Sequence, residues 1–433
     1  MLHIIKKTFQ SICIALLLIL NSNSQTANYW PVDNWQYKTP EEVGMDHNIL
    51  DSLNQYIIKE LPYVYSYIIE RHGYIVFEKY YNYTNASQNF CICSCTKSLT
   101  NIALGISFKD GNIGSVNDAA IKYLNNYNIT NQDKRINNLT IRNLCTFTSG
   151  IDVEESSLLD VEYYMNSAFV NNPGEKFDYD TPASHVLSAV VSNTTGKNCY
   201  TLLTERLAGK INFENFNWIS DENNVNAGGY GAYMRTLDML KIGYLYINRG
   251  IWNGVQIVEP EWVDSSTVQH NQGGKPHYAG YGYNWWTDTT LGYNYYFAGG
   301  YGGQFIIVIP DLDIVVAIAS NLDKHREAPR HTITSHVIPA IMETSVKIHN
   351  NYPSDIIVYP NPVRDYFYIS FNENNIFKDI ILCNIQGKIE YVFNNEPNSY
   401  NEYKLPAFIM NGTYLLQFSN PKNSFVKKIV IQP

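Results

Sequence analysis

Ser94-Cys95-Thr96-Lys97 opens a run, Ser98-Leu99-Thr100-Asn101-Ile102-Ala103-Leu104-Gly105-Ile106, whose apolar residues recur at helical spacing. Leu99, Ile102, Ala103 and Ile106 fall on one stripe, and Gly111 suits the end of the helix. An S-x-x-K tetrad at a helix start sets a hydroxyl and an amine one turn apart on one face. A serine hydroxyl is a weak nucleophile and needs a neighbouring base. A desolvated lysine supplies one, because burial disfavours its charged form. The helix N-terminus also favours developing negative charge. An N-cap serine followed by a solvated lysine has the same spelling, so the tetrad alone leaves both readings open.

Upstream, Asp46 can cap a helix to about Glu60 that carries Ile49, Leu50, Leu53 and Ile57 on one face. Val64 to Ile69 and Tyr74 to Tyr80 read as a hairpin about Arg71-His72-Gly73. Downstream, Ser115 to about Thr267 reads as helices and loops, clearest at Ala183 to Asn193 and Thr236 to Tyr246. Strand signals return at Tyr293 to Phe297, Gln304 to Ile309 and Ile314 to Ala319, with Asp311-Leu312-Asp313 as a turn. Pro329 to His349 reads as a closing helix. The order predicts an α+β fold: an antiparallel sheet flanked by helices, with a helical subdomain inserted between its second and third strands.

The pattern changes near Asn350. Tyr366 to Phe371, Ile380 to Ile385, Tyr414 to Phe418 and Val426 to Ile431 alternate as strands between polar turns, which predicts a small Ig-like sandwich. At the other end, Lys6 and Lys7 precede an apolar run, Ile12 to Leu20, too short to span a bilayer. Ser22-Asn23-Ser24 offers small residues for cleavage before Gln25, and Cys13 lies inside the run rather than after it, so no lipidated cysteine is read. The expected organisation is a signal peptide at 1–24, a catalytic domain at 25–349, and a linker with a β domain at 350–433.

The 433 residues exceed one ordinary domain, and 45% hydrophobic against 16% charged residues allows a sizeable core. The net charge of −9 and the lack of any dense Lys/Arg run set nucleic acid aside as a partner. Of seven cysteines, Cys91, Cys93 and Cys95 alternate, and Cys145 and Cys199 stand alone. No CxxC pair is followed by a second His/Cys pair, so no zinc site is expected, and most cysteines read as small buried hydrophobes.

The tetrad, with Lys97-Ser98-Leu99-Thr100 and Lys109-Asp110-Gly111-Asn112-Ile113, resembles the serine β-lactamase and penicillin-binding-protein superfamily. The likeness leans to its class C and 6-aminohexanoate-dimer hydrolase branch. Glu41-Glu42-Val43-Gly44-Met45, Ile69-Glu70-Arg71-His72-Gly73, Leu139 to Gly150, and Gly228-Gly229-Tyr230 with Arg235-Thr236-Leu237-Asp238 extend the resemblance, in order, over roughly 40–345. It implies Ser94 as nucleophile and Lys97 as base. Tyr179 of Tyr179-Asp180-Thr181 stands at the tyrosine of the Y-x-N element, with Thr181 replacing the asparagine that contacts substrate.

Phe297-Ala298-Gly299-Gly300-Tyr301-Gly302-Gly303 occupies the third element, with Ala298 in place of a Lys or His. There the resemblance implies an oxyanion hole from the Ser94 and Tyr301 N–H groups, and close backbone approach to substrate at Gly299 and Gly300. The substrate implied is a small-molecule or peptide-like ester or amide, with no metal or organic cofactor. A catalytically impaired binding protein on the same fold, and a true β-lactamase or D,D-peptidase, are the alternatives.

Other chemistry-bearing groups read mainly as structural. Asp152, Glu154 and Glu155 suit a solvated loop and Trp285-Trp286 core or cleft wall, while His277 and His325 suit the site rim or, in preference, the surface. Tyr359-Pro360-Asn361-Pro362, Asn384-Ile385-Gln386-Gly387-Lys388, Gly412-Thr413-Tyr414 and Lys427-Lys428-Ile429 resemble the C-terminal sorting domain of type IX secretion substrates in Bacteroidetes. That implies contact with the secretion machinery, transit through the periplasm and outer membrane, and release or display at the cell surface.

Overall fold

The computed structural model describes residues 29–32, 34–152, 159–342, 357–359, 361–370, 379–384, 389–393, 402–406, 409–419 and 424–432. The signal segment, Glu154, Glu155 and the linker after Met342 lie outside them.

The first domain is built on one eight-stranded antiparallel sheet. Its strands are β1 Val64–Arg71, β2 Tyr74–Tyr80, β3 Asn271–Gly274, β4 Ala279–Tyr281, β5 Trp286–Thr290, β6 Tyr293–Gly300, β7 Gln304–Ile309 and β8 Ile314–Ser320. Their spatial order is β2-β1-β8-β7-β6-β5-β4-β3. The predicted hairpin is present, turning through His72 at φ 56° and Gly73 at φ 86°. β7 and β8 are buried along their whole length, which requires cover on both faces. Neighbouring residues on β1 show what covers them, since successive side chains point to opposite faces. Ser66 Oγ lies 2.5 Å from Thr236 Oγ1 at the start of one helix, while Tyr67 O–H reaches Thr332 Oγ1 of another at 2.7 Å.

Four helices place the site: α1 His47–Glu60, α2 Thr96–Lys109, α3 Thr181–Thr195 and α4 Thr236–Ile247. Asp46 caps α1 by accepting from the Asn48 N–H at 2.8 Å. The insertion between β2 and β3 carries α2 to α4, and it also contains short strands at Asn89–Cys91, Asn217–Trp218 and Ala232–Arg235.

Three expectations are corrected. The sheet has three strands more than the sequence pattern revealed, β3 to β5, because Asn271-Gln272-Gly273-Gly274 has no apolar alternation and Trp285-Trp286 breaks it. The closing helix differs: an α-turn at Ala328–Thr332 passes into a wider π-turn at Ile333–Val337, the described residues up to Met342 are then non-helical, and the rest of the expected span, 343–349, lies outside the described residues. Finally, α2 does not bury one stripe; every residue from Thr96 to Ser107 is buried. Its polar residues face partners in the interior: Ser98 Oγ donates to Asn284 O at 2.8 Å and Thr100 Oγ1 to Gly228 O at 2.6 Å.

Among its described residues the second domain has seven strands in two sheets, of three and four strands. The four predicted strands are present at Tyr366–Ser370, Asp379–Asn384, Gly412–Ser419 and Ser424–Ile431. Phe367 and Ile369 from one sheet and Ile380, Leu382, Leu416, Phe418 and Ile429 from the other make a core of their own.

Candidate active site

Ser94 sits in a tight turn, Cys93–Cys95, that feeds directly into α2. Cys93, just before it, takes the left-handed conformation at φ 47°. Helical spacing then brings Lys97 back under the serine, with Nζ 3.0 Å from Ser94 Oγ. The amine also lies 3.2 Å from Thr181 Oγ1 and donates to Gly229 O at 2.9 Å. Lys97 is 2% exposed. Burial lowers its pKa from the ordinary 10.5 to about 7, against the opposing charge of Asp180. Three oxygens surround the amine: the charged form can donate to all three, and the neutral form can donate to Thr181 Oγ1 and Gly229 O while its lone pair faces the Ser94 hydroxyl.

Gly229 is required at that position. A Cβ there would lie 2.6 Å from Thr181 Cγ2 and 3.4 Å from Lys97 Nζ.

Thr181 is the first residue of α3, and Asp180 caps that helix by accepting from the Ala183 N–H at 3.0 Å. Asp180 is buried, and Ser149 Oγ donates to it at 3.0 Å and the Tyr164 hydroxyl at 2.5 Å. Burial raises its pKa to about 6, with those donors pulling the other way. None of Asp180, Ser149 and Tyr164 was singled out from sequence. The signal was present in part, as Asp180 lies inside the Tyr179-Asp180-Thr181 element.

The ring of Tyr179 lies 4.8 Å from Lys97 Nζ. Trp286 stacks on it at 5.6 Å, and Phe147 meets it edge-on at 5.2 Å. Burial holds the Tyr179 hydroxyl well above the usual phenol range, with a hydrogen bond to Ser94 opposing the rise. Tyr179 is therefore protonated at neutral pH and Lys97 is the group poised to take a proton. Trp285 and Trp286 are 0% and 2% exposed, the core and cleft wall that their sequence suggested.

The end of β6 closes the other side. A Cβ on Gly300 would lie 2.5 Å from Ile92 O and 3.2 Å from Cys93 Cβ, so this strand end abuts the turn holding Ser94. Tyr301 follows in the turn to β7 and is 47% exposed. Ala298 is buried and brings no charge. The space beside Gly299 is filled by the imidazole of His277, whose Nε2 would lie 2.4 Å from a Cβ there. His277 is only 3% exposed, which corrects its assignment to the surface. Asp152 is exposed, as a solvated loop requires.

The two titrations give a signed expectation. Activity that needs neutral Lys97 should rise with pH through an acid limb near 7 in kcat/KM. Asp180→Asn removes a charge that holds the Lys97 pKa up, while keeping a helix cap, so the limb should move to lower pH. A pH profile of ester hydrolysis for both proteins checks this, and an unmoved limb would assign it to another group.

Residues 65–336 match the family model for beta-lactamase, and residues 357–432 match that for a secretion system C-terminal sorting domain. Among solved structures, a protein assigned as a 6-aminohexanoate-dimer hydrolase from Bacillus anthracis aligns with TM-score 0.56 at 19% identity, over 66% of this chain and 80% of that one. The octameric penicillin-binding protein homologue from Pyrococcus abyssi aligns with TM-score 0.56 at 17% identity, over 88% and 99%. A family VIII carboxylesterase aligns with TM-score 0.57 at 13% identity, over 70% and 98%. No curated protein sequence matches the chain.

Proposed function

The chain belongs to the beta-lactamase family and is a serine hydrolase, and we propose that it cleaves an ester or amide through an acyl-enzyme on Ser94. The observation that carries this reading is the buried amine of Lys97, 3.0 Å from Ser94 Oγ. Neutral Lys97 takes the Ser94 proton as Oγ attacks the substrate carbonyl. The N–H groups of Ser94 and Tyr301 hold the oxyanion, and Thr181, Gly299 and Gly300 line the substrate. The tetrahedral intermediate then collapses: the carbonyl re-forms, the bond to the leaving group breaks, and a proton reaches that group through the Tyr179 hydroxyl. A water molecule, deprotonated by the same pair, cleaves the acyl-enzyme and returns the proton to Ser94. A fluorophosphonate probe tests the assignment. Stoichiometric labelling at Ser94 is expected, and no labelling would favour a binding protein on this fold.

Ala298 offers no cation for a carboxylate on the substrate, and Thr181 offers no amide to an acyl side chain. Penicillins and cephalosporins should therefore be poor substrates beside simple p-nitrophenyl esters. Nitrocefin hydrolysis as fast as ester hydrolysis would place the enzyme among true β-lactamases.

The terminal sorting domain indicates export to the cell surface or the extracellular space. The mature enzyme in this reading runs from Gln25 to about Asn350. All of its proposed catalytic groups precede Asn321, and the terminal β domain has a core of its own. A chain truncated at Asn350 should hydrolyse esters normally once purified, yet accumulate in the periplasm of its host. Normal export of the truncated chain would remove the sorting role.

A further inference from the structure

His277, in the turn from β3 to β4, meets two residues from the loop after β8. One oxygen of Glu327, Oε1, lies 2.5 Å from His277 Nδ1 and 2.9 Å from His325 Nε2. One ligand atom from each of the three side chains falls within 4.8 Å of the others. We propose that His277, His325 and Glu327 form a binding site for a divalent transition metal of the zinc type, on the wall of the active site behind Gly299.

The ligand chemistry sets the class of ion. Two imidazoles and one carboxylate suit zinc and its neighbours, whereas calcium and magnesium take oxygen ligands. Three protein ligands also leave a fourth position for water. Zinc ligands lie about 2.0–2.2 Å from the ion, which sets tetrahedral neighbours roughly 3.4 Å apart. Admitting the ion therefore asks the Glu327 oxygen to draw back from each imidazole by about an ångström or less, and the two imidazole nitrogens, within 4.8 Å of each other, to close by about 1.4 Å at most.

The surroundings already orient the three groups. Arg330 Nε donates to Glu327 Oε2 at 2.9 Å, which leaves Oε1 turned to the histidines. Arg330 Nη1 is in turn 3.0 Å from Asp288 Oδ2 and 2.5 Å from the Tyr295 hydroxyl. The His277 ring is wedged between Gly299 and the edge-on ring of Trp286 at 4.8 Å, with Phe297 at 5.4 Å. That packing fixes the angle of the His277 ring, and the Arg330 hydrogen bond fixes the carboxylate, as outer partners of ligating carboxylates do. Charge is also suitable, because Glu327 and Asp288 outnumber Arg330 around the position of a dication.

Access is one-sided. The His277 side chain is 1% exposed, against 34% for His325 and 22% for Glu327. An ion enters from solvent past His325 and finds its innermost ligand already fixed. A bound ion would clamp the β3–β4 turn to the loop after β8. The His325 ring lies 6.2 Å from that of Tyr301, so the clamp borders the mouth of the catalytic cleft. No local Cys/His spacing announces this site, since its ligands come from turns 50 residues apart.

The purified full chain, stripped with EDTA and dialysed, is titrated with Zn²⁺ alone, with bound metal measured by mass spectrometry. About one equivalent is expected at micromolar zinc, with a rise in Tm. His325→Ala and Glu327→Gln should each weaken binding by about 10-fold or more. His325→Gln serves as a second variant should the alanine form fail to fold. Cobalt in place of zinc should give visible d–d bands without a thiolate charge-transfer band, which separates this site from Cys91 and Cys93. Binding well below one equivalent, equal affinity in the His325 and Glu327 variants, or a thiolate band would each overturn the proposal.

Discussion

Ser94→Ala is expected to lower kcat for ester hydrolysis by a factor of about 10⁴ or more, the scale on which serine nucleophiles fail when removed. The fold should be untouched. Ser94 Oγ is one of three oxygens around Lys97 Nζ, and Thr181 Oγ1 and Gly229 O stay to receive its N–H groups. The Tyr179 hydroxyl loses its Ser94 partner, a cost of about 1 kcal/mol, so Tm should fall by only a few degrees. The pair of measurements, p-nitrophenyl ester turnover and thermal melting, separates a chemical role from a structural one. Activity near that of the parent protein would show that another group is the nucleophile.

Lys97→Met should cost about 10²–10⁴ in kcat, the usual contribution of a positioned acid–base group. Tyr179→Phe should cost a similar amount, and the double variant little more than either alone, because groups that pass one proton fail together. Losses that multiply in the double variant would mean separate tasks. Stability should respond in the opposite sense to activity. The folded pKa of Lys97 lies below its ordinary 10.5, at about 7. Below pH 7 the side chain is charged in both states, and the folded protein bears the full cost of that buried charge. Between about 7 and 10.5 the unfolded chain still binds the proton that the native protein has lost, so the penalty fades as pH rises. Lys97→Met should therefore raise Tm more at pH 6 than at pH 10. An equal gain at both values would remove the charge from the explanation.

Much of this was legible before the fold was seen. Ser94 and Lys97 are set three apart on a helix, so local spacing alone brings them together. Tyr179 and Thr181 follow from the order of the family's elements. The groups that sequence reasoning missed act across distance. Ser149 and Tyr164 matter because they converge on Asp180, and Asp180 because its charge reaches Lys97. His277 went astray for the same reason. Its burial is decided by Gly299, Trp286 and Glu327, none of them a sequence neighbour. The strand β3 escaped because Asn271-Gln272-Gly273-Gly274 is polar and only part-buried, and β4 and β5 because their side chains meet aromatic rings from the inserted subdomain. Trp286 packs on Tyr179, and Tyr281 stacks on Phe147 at 5.0 Å. A strand buried among such partners has no reason to alternate.

The complete burial of α2 bears on how the enzyme wears out. With no face in solvent from Thr96 to Ser107, this helix cannot fray outward a turn at a time. Its amides are expected to fall in the slowest class of hydrogen exchange, which opens only when the whole domain does. Lys97 stands in the first turn of that segment and Ser94 in the turn that feeds it, so the proposed nucleophile and base should keep their registry for as long as the domain survives. Heating then leaves a population divided between fully competent and fully unfolded molecules, and residual activity counts the survivors.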